Sequence, residues 1–385
     1  MVSENKPQRP VRKQIKAGSL YIGGGAPVTV QSMTTTKTAD ITETAAQINR
    51  LAALGCDIVR VAVESFPAAD AIGEIKKLVD VPIVADIHFD HRLALRAVEA
   101  GADKLRLNPG NIGGAEAVRA VAGICSKKGI PIRVGVNSGS IDKSILDRHG
   151  GVTPEALFES AVECIRLLNR YDFDDICVSV KASSVPLTIS AYRKLYERTD
   201  YPLHLGVTEA GTEYTGIIKS SIGIGALLTG GIGDTIRVSL TALPEREVEA
   251  GVAILRALGL RDGFELISCP TCGRCGIDLI PLAGEVERRL LLLGRNISVA
   301  VMGCAVNGPG EASRADYGIA GGEGAGVLFS KGRVIKKVPM DSLVDELFVM
   351  IEGNYSEPVR NGCLKCSLSA EHGCGASSCE TGCRI

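Results

Sequence analysis

Thirteen cysteines are spread unevenly along this 385-residue chain, and nine of them fall in two short stretches. Closely spaced thiolates repel one another unless a cation neutralises them, so clusters of this kind point to metal binding. Cys269-Pro-Thr-Cys272-Gly-Arg-Cys275, followed by Cys304, supplies four thiolates that could hold a tetrahedral zinc or a cubane iron-sulfur cluster. Spacing alone does not separate the two. The segment Met302-Gly-Cys304-Ala-Val-Asn-Gly-Pro-Gly310-Glu311 adds a carboxylate seven residues after its cysteine. A carboxylate is a harder and more weakly held ligand than a thiolate, and it suits an iron that must exchange it for substrate. The remaining clustered thiols, Cys363, Cys366, Cys374, Cys379 and Cys383, lie in the tail. They are read either as a second metal or cluster site or as thiols with no specific task. Cys56, Cys125, Cys164 and Cys177 stand singly in apolar surroundings and read as small core residues.

A second set of residues is unusual for its setting. Arg60, Arg106, Arg133 and Arg237 each interrupt an apolar strand-like run, where an unpaired guanidinium is costly to bury. Strand-to-strand salt bridges are one use for them, with Asp86 serving one arginine. The four arginines and Lys181 nevertheless outnumber Asp86 and Glu209, which leaves positive charge over. Guanidinium forks match phosphate oxygens, and a small substrate carrying more than one phosphate is expected. Asp86-Ile-His88, Asn108-Pro-Gly110-Asn111 and Asn137-Ser138 each sit where a strand-like run ends, and His88 projects to the same side as Asp86. Glu209 is the acid/base candidate, although a carboxylate among cations would ordinarily stay ionised.

These residues need a scaffold that brings strand ends together. From residue 27 to about 260 the chain repeats one unit: a Val/Ile-rich run, a loop, an amphipathic helical stretch and a glycine that restarts a strand. The runs at 28–33, 57–63, 82–88, 103–108, 131–137, 175–181, 202–208 and 234–239 predict eight parallel strands. Gly55, Gly101, Gly129 and Gly259 stand where helices end. Two units, Gly55-Cys-Asp-Ile-Val-Arg-Val and Gly101-Ala-Asp-Lys-Leu-Arg-Leu, are visibly self-similar. Eight units over this length suit an α/β fold of the TIM (β/α)8 barrel type, whose C-terminal strand ends converge on one mouth. An open doubly wound sheet is the runner-up, but no G-x-G-x-x-G follows the first strand.

After about residue 262 the rhythm changes to a strand-like LISCP, a helical 280–295, an apolar strand at 297–302 and a Gly-rich stretch to 326. The expected domains are therefore a barrel over 1–260, a small α+β cluster domain over 261–355 and a Cys-rich tail over 356–385. Lys+Arg 43 against Asp+Glu 44 gives no global field for nucleic acid or an anionic membrane. No apolar run is long enough to span a bilayer, and a soluble cytoplasmic protein is expected.

The segments S-C-P-T-C-G-R and V-M-G-C-A-V-N-G-P-G-E-A resemble the signatures of the 4-hydroxy-3-methylbut-2-enyl diphosphate synthase family, reductive enzymes of the methylerythritol phosphate route to isoprenoids. Q-S-M-T at 31–34, A-D-I-H-F-D at 85–90, R-L-N-P-G-N at 106–111, R-V-G-V-N-S at 133–138 and V-T-E-A-G at 207–211 extend the resemblance over about residues 20–355. It implies a TIM barrel that binds 2-C-methyl-erythritol 2,4-cyclodiphosphate, followed by a reductase-like domain with a 4Fe-4S cluster. By position the ligands are Cys269, Cys272, Cys304 and Glu311. The substrate contacts carried over are Arg60, Asp86, His88, Arg106, Asn108, Arg133, Asn137, Lys181, Arg237 and Ser239, with Glu209 as the acid/base. The resemblance also implies reduced ferredoxin or flavodoxin as donor, and a homodimer in which one subunit's cluster domain closes the other's barrel. Cys275 and the tail cysteines depart from the family pattern. Two rivals remain: a phosphate-binding barrel aldolase with Lys181 as Schiff base and a structural zinc, and a zinc-dependent binding module, which the strand arginines disfavour. A colourless zinc-loaded preparation would favour the first rival.

Overall fold

The chain divides into two compact units, Met1–Arg261 and Asp262–Ile385, and the computed structural model describes residues 7, 9–304, 312–322 and 324–353. The first unit opens with a hairpin of β1 (Gln14–Ala17) and β2 (Leu20–Gly23). Eight further strands follow: β3 (Thr29–Met33), β4 (Ile58–Ala62), β5 (Ile83–Asp86), β6 (Lys104–Leu107), β7 (Ile132–Asn137), β8 (Ile176–Lys181), β9 (His204–Leu205) and β10 (Thr235–Ile236). Between and after them lie α1 (Ile41–Ala53), α2 (Phe66–Ile75), α3 (His91–Glu99), α4 (Ala115–Lys128), α5 (Lys143–His149), α6 (Pro154–Asn169), α7 (Val185–Arg198), α8 (Glu213–Leu228) and α9 (Pro244–Ala257). The sheet order is β8-β7-β6-β5-β4-β3-β10-β9, and a parallel bridge from Val178 to Leu203 joins its two ends into a closed ring. This is the expected (β/α)8 barrel.

All eight expected strands are present, but β9 and β10 are only two residues long where six or seven were expected. Gly206 and Gly233 flank them. A Cβ on Gly206 would lie 2.5 Å from the Arg237 carbonyl oxygen, and one on Gly233 would lie 2.4 Å from Leu205, so close backbone approach replaces a regular ladder here. Most loops that leave the strands' C-terminal ends finish in a side-chain cap. Asp40, Ser65, Asp90, Asp142 and Ser184 accept hydrogen bonds from backbone N–H groups two or three residues on, which satisfies donors left over in the first turn.

The opposite, N-terminal rim is closed by a different device. Asp57 precedes β4 and accepts from Val30 N at 2.7 Å; Asp103 precedes β6 and accepts from Ile83 N at 2.8 Å; Asp234 precedes β10 and accepts from Leu203 N at 2.8 Å. Each carboxylate thus satisfies an N–H where a neighbouring strand begins, and each also pairs with a cation: Arg261, Lys76 and Arg9 respectively. The self-similar Gly-x-Asp segments are two copies of this device, with Gly55 and Gly101 both at φ +99°, a backbone that glycine adopts freely. Below the rim, Ile15, Ala17 and Ile22 of the hairpin form one buried cluster with Ile58, Val84 and Cys177 from the starts of β4, β5 and β8. The hairpin therefore stoppers the barrel at the end away from the mouth.

In the second unit, β11 (Glu265–Ser268), β12 (Ser298–Met302) and β13 (Tyr317–Gly321) are parallel, while β14 (Ala325–Ser330) and β15 (Arg333–Pro339) continue the sheet antiparallel. Helices α10 (Leu279–Leu293) and α11 (Leu343–Gly353) complete it. Val286, Leu290, Val299, Val301, Ile319, Leu347 and Ile351 form a core of its own. Strands β13 to β15 and α11 were not foreseen from sequence. Among the described residues no helix is long and apolar enough to cross a membrane.

Candidate active site

Alternate residues of a strand face opposite ways, and in the barrel one parity is apolar and the other is not. Val59, Val61, Ala85, Leu105, Leu107, Val134 and Val180 are buried in the shell beneath the helices. Their neighbours Arg60, Asp86, Arg106, Arg133 and Lys181 face inward. The clearest proof is Arg133: its Nη1 donates to Gln31 Oε1 at 3.0 Å, and β7 and β3 stand opposite each other in the ring, so the side chain crosses the lumen.

Asp86 ends β5 and gathers three partners. Arg60 Nη2 lies at 2.8 Å, Arg106 Nη1 at 3.2 Å and His88 Nε2 at 3.2 Å. Burial pushes the Asp86 carboxyl upward, but the His88 contact and the two guanidinium groups outweigh it and hold it well below the usual carboxylate range. Glycine leaves room where these long cations pack: a Cβ on Gly135 would lie 2.6 Å from Arg106 Nε, and one on Gly206 would lie 2.6 Å from Lys181 Nζ.

Positive charge exceeds negative. Arg133 is 1% exposed and Lys181 8%, and neither has a carboxylate within ion-pair distance among the described residues. Burial first, then the neighbouring arginines, lower both pKa values well below normal. Arg60 falls to about 10, chiefly by burial, despite Asp86. Such a site lowers its free energy by taking in an anion.

The other expected residues are arranged less tightly. His88 has a side chain 57% exposed. Asn108 is buried, its Oδ1 accepting from Gly110 N at 3.1 Å and from the Cys164 thiol at 3.2 Å. Asn137 ends β7 half-buried, with Ser140 holding its backbone N–H and carbonyl. Ser239 is half-buried just past β10. Glu209 is exposed and stands at φ +52°, a left-handed backbone that a glutamate rarely adopts. It makes no ion pair with the lumen cations. The acid that reaches them besides Asp86 is Glu247, from the first turn of α9, which accepts from Arg237 Nη2 at 3.4 Å. Helical charges usually mark a solvated face, so sequence gave no sign of it. Gln31 was visible in principle, at the inward parity of the first run.

In the second unit, β11 and β12 run side by side, and Cys269 and Cys304 follow their C-terminal ends. Gly303 N donates to Cys269 Sγ at 3.1 Å. The backbone N–H of Arg274 leads the effects that lower the pKa of the exposed Cys272 thiol. Cys275 behaves differently: its thiol donates to the Ile277 carbonyl at 3.2 Å. Among the described residues no three His, Cys, Asp or Glu side chains are gathered closely enough to hold a single ion. Cys269 and Cys304 on two neighbouring strand ends and Cys272 on the loop after β11 supply three thiols, one accepting a backbone N–H, and thiolates are the ligand type that an iron-sulfur cluster takes.

A family model described as the GcpE TIM-barrel domain matches residues 12–252, and one for the GcpE protein C-terminal domain matches residues 265–353. The chain belongs to the GcpE family. Among curated relatives, a 4-hydroxy-3-methylbut-2-en-1-yl diphosphate synthase (flavodoxin) from Ruminiclostridium cellulolyticum is 57% identical over 341 residues, covering 88% of this chain and 97% of its own. One of the same name from Caldanaerobacter subterraneus subsp. tengcongensis is 56% identical over 345 residues, covering 89% and 97%. Among solved structures, the type I 3-dehydroquinate dehydratase from Clostridium difficile covers 64% of this chain and 98% of its own at 13% identity and TM-score 0.48, a distance at which nothing about chemistry carries over. Two sets of residues named from sequence, Glu311 of the family signature and the tail cysteines 363–383 that depart from it, lie outside the described residues.

Proposed function

We infer that this GcpE chain reductively opens the ring of 2-C-methyl-D-erythritol 2,4-cyclodiphosphate and removes a hydroxyl to give 4-hydroxy-3-methylbut-2-enyl diphosphate, with flavodoxin as its electron donor. The observation that carries this reading is the lumen, where Arg133 and Lys181 lie buried without a carboxylate beside an Asp86-bound pair of arginines. A cyclic diphosphate supplies the missing negative charge. Membership of the GcpE family and the name shared by its curated relatives support the same reaction.

Two electrons enter, the ring C–O bond and the bond to a hydroxyl break, and the hydroxyl leaves as water after taking a proton. We assign Arg60, Arg106, Arg133, Lys181 and Arg237 to the phosphates. Asp86 keeps two of these arginines side by side, and His88, Asn108, Asn137 and Ser239 complete the contacts. Glu209 is assigned to proton transfer from its exposed position after β9. A 4Fe-4S cluster on Cys269, Cys272, Cys304 and Glu311 would supply the electrons and an exchangeable iron for the substrate oxygen. Ferredoxin as a second donor, a homodimer and a cytoplasmic setting complete the proposal; the clustered thiols suit a reducing compartment.

The test is anaerobic turnover of the cyclic diphosphate with reduced flavodoxin, together with iron, sulfide and zinc analysis. Product formation by a brown, iron-loaded protein is expected. Replacing Arg133 with Lys keeps the charge but loses the two-pronged contact, and KM should rise about tenfold or more. A colourless zinc protein without turnover would return the chain to the lyase reading, and unchanged KM in the lysine variant would make Arg133 a structural cation.

A further inference from the structure

We propose that Glu247 is a positioning residue for substrate binding, holding Arg237 and the chain end that carries Ser239 in the orientation that meets a phosphate group. The proposal rests on the cyclic-diphosphate reading above and adds to it a residue that contacts no substrate.

β10 stops at Ile236, so residues 237–240 have little ladder to fix them. Arg237 N still donates to Leu205 O at 3.0 Å, but the next three residues leave the sheet. Glu247 spans this gap. It is 6% exposed, and its two oxygens do different things. Oε1 accepts from Leu240 N at 2.9 Å, while Oε2 accepts from Arg237 Nη2 and from Ser32 Oγ, both at 3.4 Å. One carboxylate therefore grips both ends of the segment 237–240 and ties it to β3.

The rest of the guanidinium is left available. Arg237 Nη1 faces only the Met33 sulfur at 3.7 Å, and its buried Nε has no hydrogen-bond partner among the described residues. A thioether is a poor acceptor, so most of the fork is unspent. A contact of 3.4 Å is long for an ion pair, and it steers the group without saturating it. Two effects compete when substrate binds. The Glu247 charge repels phosphate, whereas its geometry prearranges Arg237 and Ser239. In the proposal, geometry wins.

Equilibrium binding of the cyclic diphosphate to the full chain, without reductant, separates these effects. Glu247→Gln removes the charge at nearly constant shape, and Glu247→Asp keeps the charge but shortens the reach. Both should weaken binding about tenfold, with kcat at saturating substrate little changed. In an Arg237→Met background the same two changes should weaken binding much less, because the residue acts mainly through Arg237 and only the hold on the Ser239 segment remains. Should the glutamine variant fail to fold, the aspartate variant carries the comparison. Tighter binding by Glu247→Gln with wild-type affinity in Glu247→Asp would show a plain repulsive charge and overturn the proposal. Equal losses in both Arg237 backgrounds would overturn it too, by showing a structural clamp. A parent chain that does not bind the cyclic diphosphate at all would instead sink the functional reading itself.

Discussion

Lys104 differs from the other lumen cations because nothing in the proposed reaction uses it. It is fully buried on β6, two residues before Arg106, and its ammonium has no hydrogen-bond partner among the described residues. Burial lowers its pKa to about 8, with Cys177 opposing and Arg133 assisting. The unfolded chain holds this proton up to about pH 10.4, so between about pH 8 and 10.4 it binds more protons than the native state, and stability rises with pH across that window. Below about pH 8 the penalty is fully present, at most about 3 kcal/mol on these values. Lys104→Met should therefore stabilise the barrel at pH 7 and lose that advantage as pH approaches 10. Urea melts of both proteins at pH 7 and 9.5 read the difference. A methionine variant less stable at pH 7 would mean that Lys104 has a counter-charge inside the barrel. Asp86 has the same slope but the reverse consequence at neutral pH: against the cost of burial, His88, Arg60 and Arg106 hold its carboxyl low, so it contributes stability that is present above about pH 4 and is lost progressively as pH falls below that.

Elements differed in how openly the sequence declared them, for physical reasons. Parallel barrel strands are buried on both faces, so the outward parity reads as a Val/Ile run and the charged inward parity stands out against it. That made the eight strands and Arg60, Arg106 and Arg133 legible together. The β1–β2 hairpin escaped notice because each of its four-residue strands buries only two positions. β13 escaped for another reason. Gly318 and Gly321 lie within it because a Cβ there would come within 2.2 Å of the Phe329 ring and 2.3 Å of Ile277, so tight packing made a strand look like a loop. The loop between β11 and α10 carries its own test. Cys275 donates its thiol to Ile277 O, and a Cβ on Gly303 would lie 2.5 Å from its sulfur, so it is packed into the wall of the loop. Cys275→Ala should keep both the iron-sulfur absorbance and turnover, whereas Cys304→Ser should lose both. The reverse pattern in paired anaerobic preparations would make Cys275 the ligand.

At the scale of the molecule, the two units have separate hydrophobic cores of very different size. The barrel core draws on α1 through α9 and the eight strands, while among the described residues the second unit's main core contains fourteen buried residues. A small core leaves little margin, and small domains commonly lean on a bound metal group for stability. A group that binds only the folded form raises stability by RT ln(1 + [L]/Kd), and that gain falls on the unit that holds it. Removing the cluster should therefore lower the melting of the second unit and leave the barrel alone. The cyclic diphosphate should do the converse, raising the barrel transition through the lumen cations. Anaerobic calorimetry of the cluster-loaded chain, the Cys304→Ser variant and each with the cyclic diphosphate resolves the four cases. Two transitions are expected, the lower one missing or shifted down by several degrees in Cys304→Ser, the upper one shifted only by substrate. If the serine variant moves both transitions together, the cores unfold as one cooperative body, and the barrel depends on a cluster that its own residues do not bind.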